Sequence, residues 1–237
     1  MDLGRYIVAE VVAIIPARGG SKGIPRKNLL EVCGRPLLVW SILQARESDE
    51  IDSVWVSSDS PEILSVAEEY GAVGIERSAE LSGDEASSES AWLHGLTHLE
   101  SRGLDVEFVV GMQATSPVRE SVDLDGAVEM VRSENLDSLL SVVEVQDFFV
   151  WRIGSSGPES VNYNYRSRQR RQVIENQYLE NGSFYVFSPE TLRKHSNRLG
   201  GRIGLYVMDR HKMFQIDAED DVALVEAIMH GYGLDAA

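Results

Sequence analysis

A single cysteine, Cys33, stands in 237 residues, so no disulfide can form within the chain and a reducing compartment is the expected setting. Positive charge is scarce: 22 Lys and Arg face 38 Asp and Glu, for a net charge of −16. That balance excludes general binding to nucleic acid, which needs a basic face, and disfavours an anionic membrane surface. Long apolar runs are missing as well. The first apolar stretch is interrupted by Glu10 and runs straight into a charged segment, so it reads neither as a secretory signal nor as a bilayer span. A cytoplasmic protein is expected. Neither internal repeats nor a low-complexity linker divide the sequence. With 43% hydrophobic residues, it suits one domain, 1–237, around one substantial core.

Against that scarcity of cations, the run Ala17-Arg-Gly-Gly-Ser-Lys-Gly-Ile-Pro-Arg-Lys-Asn28 is conspicuous. It gathers Arg18, Lys22, Arg26 and Lys27 around Gly19, Gly20, Gly23 and Ser21. The apolar residues Val11 to Pro16 precede it and read as a buried strand. The run would therefore lie at a strand's carboxyl end, where open α/β sheets place ligands. Glycines let backbone N–H groups turn toward a phosphate, and cations offset its charge. The run is neither a Walker A loop nor a dinucleotide fingerprint. A solvated surface loop is the alternative, but it leaves the concentration of charge unexplained.

Short apolar runs alternate with helical patterns along the rest of the chain. Strands are predicted at 11–16, 53–58, 72–76, 106–113, 138–145, 183–188 and 203–208. Helices are predicted at 36–47, 61–70, 86–101, 122–134, 189–195 and 219–230. Asp59-Ser-Pro61 carries a capping side chain and a proline at a helix entry, and Ser121 or Asp123 can cap another helix. Such alternation implies a parallel sheet with helices on both faces. It fails at about 146–180, a stretch holding Asp147-Phe-Phe-Val-Trp-Arg152 and the basic cluster Arg166-Ser-Arg-Gln-Arg-Arg171. This reads as an inserted β-arm that docks on a partner subunit.

Several polar groups could carry chemistry. Gln113-Ala-Thr-Ser-Pro-Val-Arg119 follows a strand; Gln113 and Ser116 could bind a polyhydroxylated ligand, and Arg119 could cap a helix or meet an anion. A turn into the next helix explains it nearly as well. Arg77 and the serines up to Ser88 could reach a nucleobase or ribose, or form an ordinary helix start. Asp217 is a hard oxygen ligand suited to Mg²⁺ that also touches phosphates, or the N-cap of the last helix. Arg170 and Arg171 could grip a carboxylate, and Asn181 is the residue of its turn best placed to face a ligand. His94 and His98 lie one turn apart, but no third ligand is spaced to complete a metal site.

The segment Ile15-Pro-Ala-Arg-Gly-Gly-Ser-Lys-Gly-Ile-Pro-Arg-Lys-Asn28 resembles the opening motif of the acylneuraminate cytidylyltransferases, or CMP-sialic acid synthetases. The resemblance continues in order through Arg77-Ser-Ala-Glu-Leu-Ser82, Ala86-Ser-Ser88, Gln113 to Arg119, Arg170-Arg-Gln172, Glu180-Asn-Gly-Ser-Phe-Tyr185 and Ile216-Asp217. It implies an α/β, Rossmann-like, mostly parallel sheet with a dimerisation arm, and hence a homodimer. It implies a reaction of CTP with a nine-carbon 2-keto sugar acid, such as sialic, legionaminic, pseudaminic or deaminated neuraminic acid, with Mg²⁺ as cofactor. Carried over by motif, Ala17, Arg18, Gly19, Gly20, Ser21, Lys22 and Lys27 would hold the triphosphate, and Asn28, Arg77 and Ser88 the cytidine. Gln113, Ser116, Arg170, Arg171 and Asn181 would meet the sugar acid, Asp217 would bind the metal, and Arg18, Lys27 and Asp217 would be catalytic. The chain departs from many such enzymes at Gln215, where they have a second Asp, and at Glu180, where bacterial sialic acid enzymes often have Arg one position before the Asn-Gly turn. An eight-carbon sugar acid, as in Kdo activation, is the nearest alternative. A nucleotide-binding protein without turnover is the alternative of another class, favoured by Gln215 and opposed by Lys22, Lys27 and Asp217.

Overall fold

The computed structural model describes residues 9–236 apart from 22, 84, 85 and 147. The strands are β1 (Glu10–Pro16), β2 (Glu31–Val32), β3 (Arg35–Pro36), β4 (Ser53–Ser58), β5 (Val73–Glu76), β6 (Val106–Met112), β7 (Ser138–Val145), β8 (Trp151–Gly154), β9 (Gly157–Ser160), β10 (Gln177–Phe187) and β11 (Ile203–Met208). The helices are α1 (Leu37–Arg46), α2 (Pro61–Glu69), α3 (Ser88–Ser101), α4 (Ser121–Ser133), α5 (Pro189–His195) and α6 (Glu219–Tyr232). Every predicted helix and main strand is present, with ends shifted by a residue or two except at the start of β10.

Seven strands form one sheet in the order β11-β7-β10-β6-β1-β4-β5. The β1, β4, β5 and β6 strands run parallel, as do β7 and β11. The β10 strand runs antiparallel to both of its neighbours, β6 and β7. The sheet is thus mostly rather than wholly parallel, because the chain re-enters it from the arm in the reverse direction. That strand starts at Gln177, ahead of the predicted 183, and its register with β7 shifts between Glu180 and Tyr185. Gly182 sits at that irregularity with φ +63°, a left-handed conformation that suits glycine.

Alternation along the strands separates two apolar layers. Val11, Ala13 and Ile15 face a layer with α1, α2 and α4 residues such as Ile42, Ala67 and Val128. Val12 and Ile14 face the opposite layer with Trp92 and Leu96 of α3 and Leu192 of α5. Both faces of β1 are therefore buried, which is why it reads as an unbroken apolar run. A third cluster packs Val225 and Met229 of α6 on Leu37 and Trp40 of α1 and on Ile216. Fully burying one such large apolar side chain contributes about 1.5–3 kcal/mol.

Two hairpins lie outside the main sheet. The β2 and β3 strands pair through Cys33 (φ +47°) and Gly34 (φ +77°), two left-handed residues that match a tight hairpin turn. The β8 and β9 strands pair antiparallel within the 146–180 stretch. Helix entries refine the capping expectations. Ser60 caps α2 by accepting a hydrogen bond from the Ile63 N–H. At α4 the N-cap is Glu120, whose own N–H donates to the Asp123 carboxylate at 2.9 Å, so neither Ser121 nor Asp123 holds the cap position itself.

Candidate active site

The sheet's direction of winding reverses between β1 and β6. A cavity of about 290 Å³ opens beyond their carboxyl ends, the place where such a reversal leaves a crevice. Its lining comes from three loops and one helix start. Arg18, Ser21, Lys27 and Asn28 come from the loop after β1, and Arg77 and Ser82 from the segment after β5. Gln113 and Thr115 follow β6, and Ser87, Ser88 and Trp92 belong to the start of α3. Residues from position 18 to position 115 thus meet in one place.

The loop after β1 is held by its own polar groups. Asn28 is buried, and its amide donates to the Arg18 carbonyl at 2.9 Å. The Gly19 N–H donates to the Asp59 carboxylate at 2.9 Å. Lys27 Nζ donates to the Ile216 carbonyl at 3.0 Å and to Asp217 Oδ1 at 2.9 Å. Gly23 lies against the Asp217 carbonyl so closely that a Cβ there would come within 2.7 Å. The loop is therefore fastened to the segment before α6, and Lys27 joins the cavity to Asp217. Arg77 is buried, with Nε donating to Ser82 Oγ at 3.0 Å. Burial lowers the affinity of its guanidinium for its proton, the nearby charge of Arg18 adds to that, and Asp59 opposes it. Two cations that repel each other beside one cavity are relieved by an anion. The N-terminus of α3 adds a favourable dipole.

Asp217 is not the N-cap of α6. The Asp221 carboxylate accepts the Asp217 and Ala218 N–H groups at 2.8 and 2.7 Å, and those bonds hold its pKa below the ordinary value. The Asp217 carboxylate is left largely exposed beside Lys27. Gln215 is occupied elsewhere: its amide donates to the Asn181 carbonyl at 2.6 Å and holds the Asn181-Gly182 turn. No group of three or more acidic, His or Cys side chains fit to hold a metal occurs among the described residues, His94 and His98 included.

Other predicted site residues lie away from the cavity lining. Asn181 is buried, and its amide is spent on Ser141, Met208 and the Lys212 carbonyl. It shapes the turn and does not line this cavity. Ser116 is also buried, with its hydroxyl donating to the Gly182 carbonyl at 3.4 Å. Arg119 neither caps α4 nor lines this cavity. It is buried and donates to Ser41, Gln44 and both oxygens of Ser183. Ala17 is buried, and its N–H is taken by the Ser57 carbonyl. Gly20 is exposed on the loop, and Arg170 is exposed on the arm, outside the cavity lining. Lys22 and the Arg171 side chain lie outside the described parts of the structure.

Sequence reasoning passed over Trp92, Thr115 and Asp59. Trp92 sits in an ordinary amphipathic pattern. Its position on the cavity floor follows from packing against Tyr185 and Phe187, at 5.9 and 5.5 Å between ring centres, and from its N–H donating to the Ile14 carbonyl.

Comparison with known proteins bears on the family and the fold. N-acylneuraminate cytidylyltransferase of Oncorhynchus mykiss is 36% identical, over 95% of this chain and 52% of its own length. The enzyme of that name from Streptococcus agalactiae is 31% identical, over 89% of this chain and 51% of its own length. The chain thus spans about half the length of these relatives. Post-translational flagellin modification protein B of Campylobacter coli is 29% identical, over 97% of this chain and 99% of its own length. Among solved structures, a CMP:2-keto-3-deoxy-manno-octonic acid synthetase complexed with CTP superposes with a TM-score of 0.71 at 15% identity, covering 94% of this chain and all of that one. A 4-diphosphocytidyl-2C-methyl-D-erythritol synthase superposes with a TM-score of 0.69 at 15% identity, which likewise shows a shared fold. The family profile described as Cytidylyltransferase matches residues 12–223, nearly the whole chain, and the chain belongs to that family.

Proposed function

We propose that this protein transfers CMP from CTP to the anomeric hydroxyl of a nine-carbon 2-keto sugar acid and releases pyrophosphate. The observation that carries this reading is the convergence of Arg18, Lys27, Asn28, Arg77, Ser88 and Gln113 on one cavity in a chain of the cytidylyltransferase family. Relatives named N-acylneuraminate cytidylyltransferase support the nine-carbon acid. The low identity of the eight-carbon acid synthetase makes a Kdo-like substrate the weaker reading.

The reaction follows from charge and position. The sugar hydroxyl attacks the α-phosphorus and gives up its proton to water or to the departing pyrophosphate, a new oxygen–phosphorus bond forms, and the bond to the bridging oxygen breaks as pyrophosphate leaves. Arg77, Asn28 and Ser88 hold the cytidine, and Gln113 meets the sugar acid. Arg18 and Lys27 offset charge that grows on the phosphate oxygens, and holding both reactants in line lowers the barrier further. The residues present fit Mg²⁺ in one way. The exposed Asp217 carboxylate offers a single hard ligand beside Lys27, and Gln215 is committed to the Asn181 carbonyl. One carboxylate plus substrate phosphates is a common Mg²⁺ arrangement, so the metal would arrive with the nucleotide. When bound it supplies positive charge to the phosphate oxygens.

The arm supports a homodimer. Trp151, Ile153, Val161 and Val173 are all exposed on it, an apolar surface that a second subunit would cover. A cytoplasmic setting agrees with the single cysteine, and no helix among the described residues is long and apolar enough to cross a membrane.

The test is pyrophosphate release from CTP with Mg²⁺ across a panel of eight- and nine-carbon 2-keto sugar acids. Turnover with one nine-carbon acid is expected, and its identity would define the substituents the site accepts. Turnover confined to an eight-carbon acid would overturn the substrate class. CTP binding with no turnover on any acid would leave a nucleotide-binding protein instead.

A further inference from the structure

The turn Ser58-Asp59-Ser60 leaves one group without a role in helix capping. Ser60 takes the cap of α2, so the Asp59 carboxylate is released from that task and reaches across to the loop after β1. It accepts the Gly19 N–H at 2.9 Å. The turn that carries it is locked from several sides. The Ser58 carbonyl accepts the Arg77 N–H at 2.8 Å, and the Ser58 hydroxyl accepts the Ser60 N–H at 3.1 Å. The preceding Ser57 carbonyl accepts the Ala17 N–H at 2.9 Å. Gly19 itself packs against this turn: a Cβ there would lie 3.0 Å from the Ser60 Cβ. One rigid turn therefore grips the loop at Ala17 and again at Gly19, on either side of Arg18. Asp59 is exposed, so its carboxylate is not needed to fill the core.

We infer that Asp59 is a positioning residue for the nucleotide: by fixing the Gly19 peptide it sets the direction in which Arg18 and Ser21 enter the cavity. The role calls for a hydrogen-bond acceptor at that atom more than for negative charge, because negative charge would repel a triphosphate. Asn at position 59 should therefore serve nearly as well, and Ala should not. The inference rests on the reading of the cavity as a CTP site, and it also makes a claim that needs no ligand.

The test compares wild type, Asp59→Ala and Asp59→Asn in two measurements. Exchange of the Gly19 amide hydrogen is followed by NMR in the nucleotide-free protein, and CTP binding is followed by calorimetry. Asp59→Ala is expected to speed Gly19 exchange and to weaken CTP binding by about ten-fold, the order of one hydrogen bond's net worth. In turnover this should appear as a raised KM for CTP together with a kcat lowered by more than about three-fold, because Arg18, which Asp59 aims, also offsets charge that grows in the transition state. Asp59→Asn should restore both readings to within about three-fold of wild type. Unchanged Gly19 exchange in Asp59→Ala, or CTP affinity equal to wild type, would overturn the inference, as would an Asn variant as impaired as Ala. If wild type binds no CTP, the nucleotide reading fails, and Gly19 exchange still decides whether Asp59 holds the loop.

Discussion

Lys27 joins two parts of the site: it lines the cavity, and its ammonium bonds Asp217 and the Ile216 carbonyl. Asp217 is mostly exposed, so this ion pair contributes at most about 1 kcal/mol to stability. Lys27→Ala and Asp217→Ala should therefore fold normally yet lose about a hundred-fold or more in pyrophosphate release, the usual cost of removing one transition-state charge partner. Near-normal turnover in either variant, alongside an unchanged melting curve, would refute its assigned role. Cys33 offers a second check at this scale. Burial, with Glu226 and Asp235 adding negative charge nearby, pushes its thiol up to about 11. At pH 8 its thiolate fraction falls roughly a hundred-fold below that of an ordinary cysteine, and alkylation by iodoacetamide should slow in proportion. The raised value means the folded state holds its proton between about 9 and 11, so this group favours folding less as pH rises through that window. Alkylation as fast as in a denatured control would contradict that environment.

At the scale of elements, the cavity floor depends on how β6, β10 and α3 meet. Gly111 of β6 lies directly behind Trp92 and Phe187, and a Cβ there would come within 2.7 and 2.9 Å of their rings. Rings of that size cannot yield without moving α3 or β10. Gly111→Ala should cost about 1–3 kcal/mol in denaturant unfolding. It should also weaken CTP binding, because Trp92 lines the cavity. Wild-type stability and affinity together would show that the floor repacks freely. The neighbouring buried polar network serves the same architecture. Arg119 ties α1 to β10 through Ser41, Gln44 and Ser183, and the Gln113 N–H donates to the Ser183 carbonyl. Gln113 thus reaches the cavity from a loop whose far end is clamped. Lys212 is buried too; burial works to lower its pKa, and hydrogen bonds to Asp123 and Glu120 overcome that and raise it.

For the whole molecule, the arm is the part a monomer explains least. Ile153 is 83% exposed on β8, with Trp151 at 46% on the same strand, and water is a poor neighbour for both. The proposed homodimer would cover them. Light scattering should give twice the chain mass, and Ile153→Asp should shift the population toward monomer. A wild-type protein that remains monomeric at high concentration would count against the dimer. The charge distribution is also a property of the whole. A chain of net charge −16 keeps a cationic cluster beyond the carboxyl ends of β1 and its neighbours, which favours an anion there over anion binding elsewhere.

Much of this was legible from residues alone. Apolar runs and capping signals located the strands and helices because burial and backbone capping are local demands on sequence. The cationic glycine loop was legible because it broke the acidic pattern of its surroundings. Arg77, Ser88 and Gln113 were weak candidates by residue chemistry and gained their roles through resemblance, since each sits in a segment that a plain turn or helix start would also explain. Other features had no local signal. The reversed direction of β10 depends on where the arm re-enters the sheet. Asn181 and Ser116 looked as available as Gln113, yet packing buried them, because the turn at Gly182 needs their hydrogen bonds. Asp59-Ser-Pro61 offered a capping side chain without saying which; Ser60 fills that position and leaves the Asp59 carboxylate to Gly19. Sequence by itself determined the main elements, the family and the cationic glycine loop that breaks an acidic chain. Only the tertiary structure decided which polar side chains face the cavity and which are consumed in building it, because hydrogen bonds between distant segments form only once the sheet has brought them together.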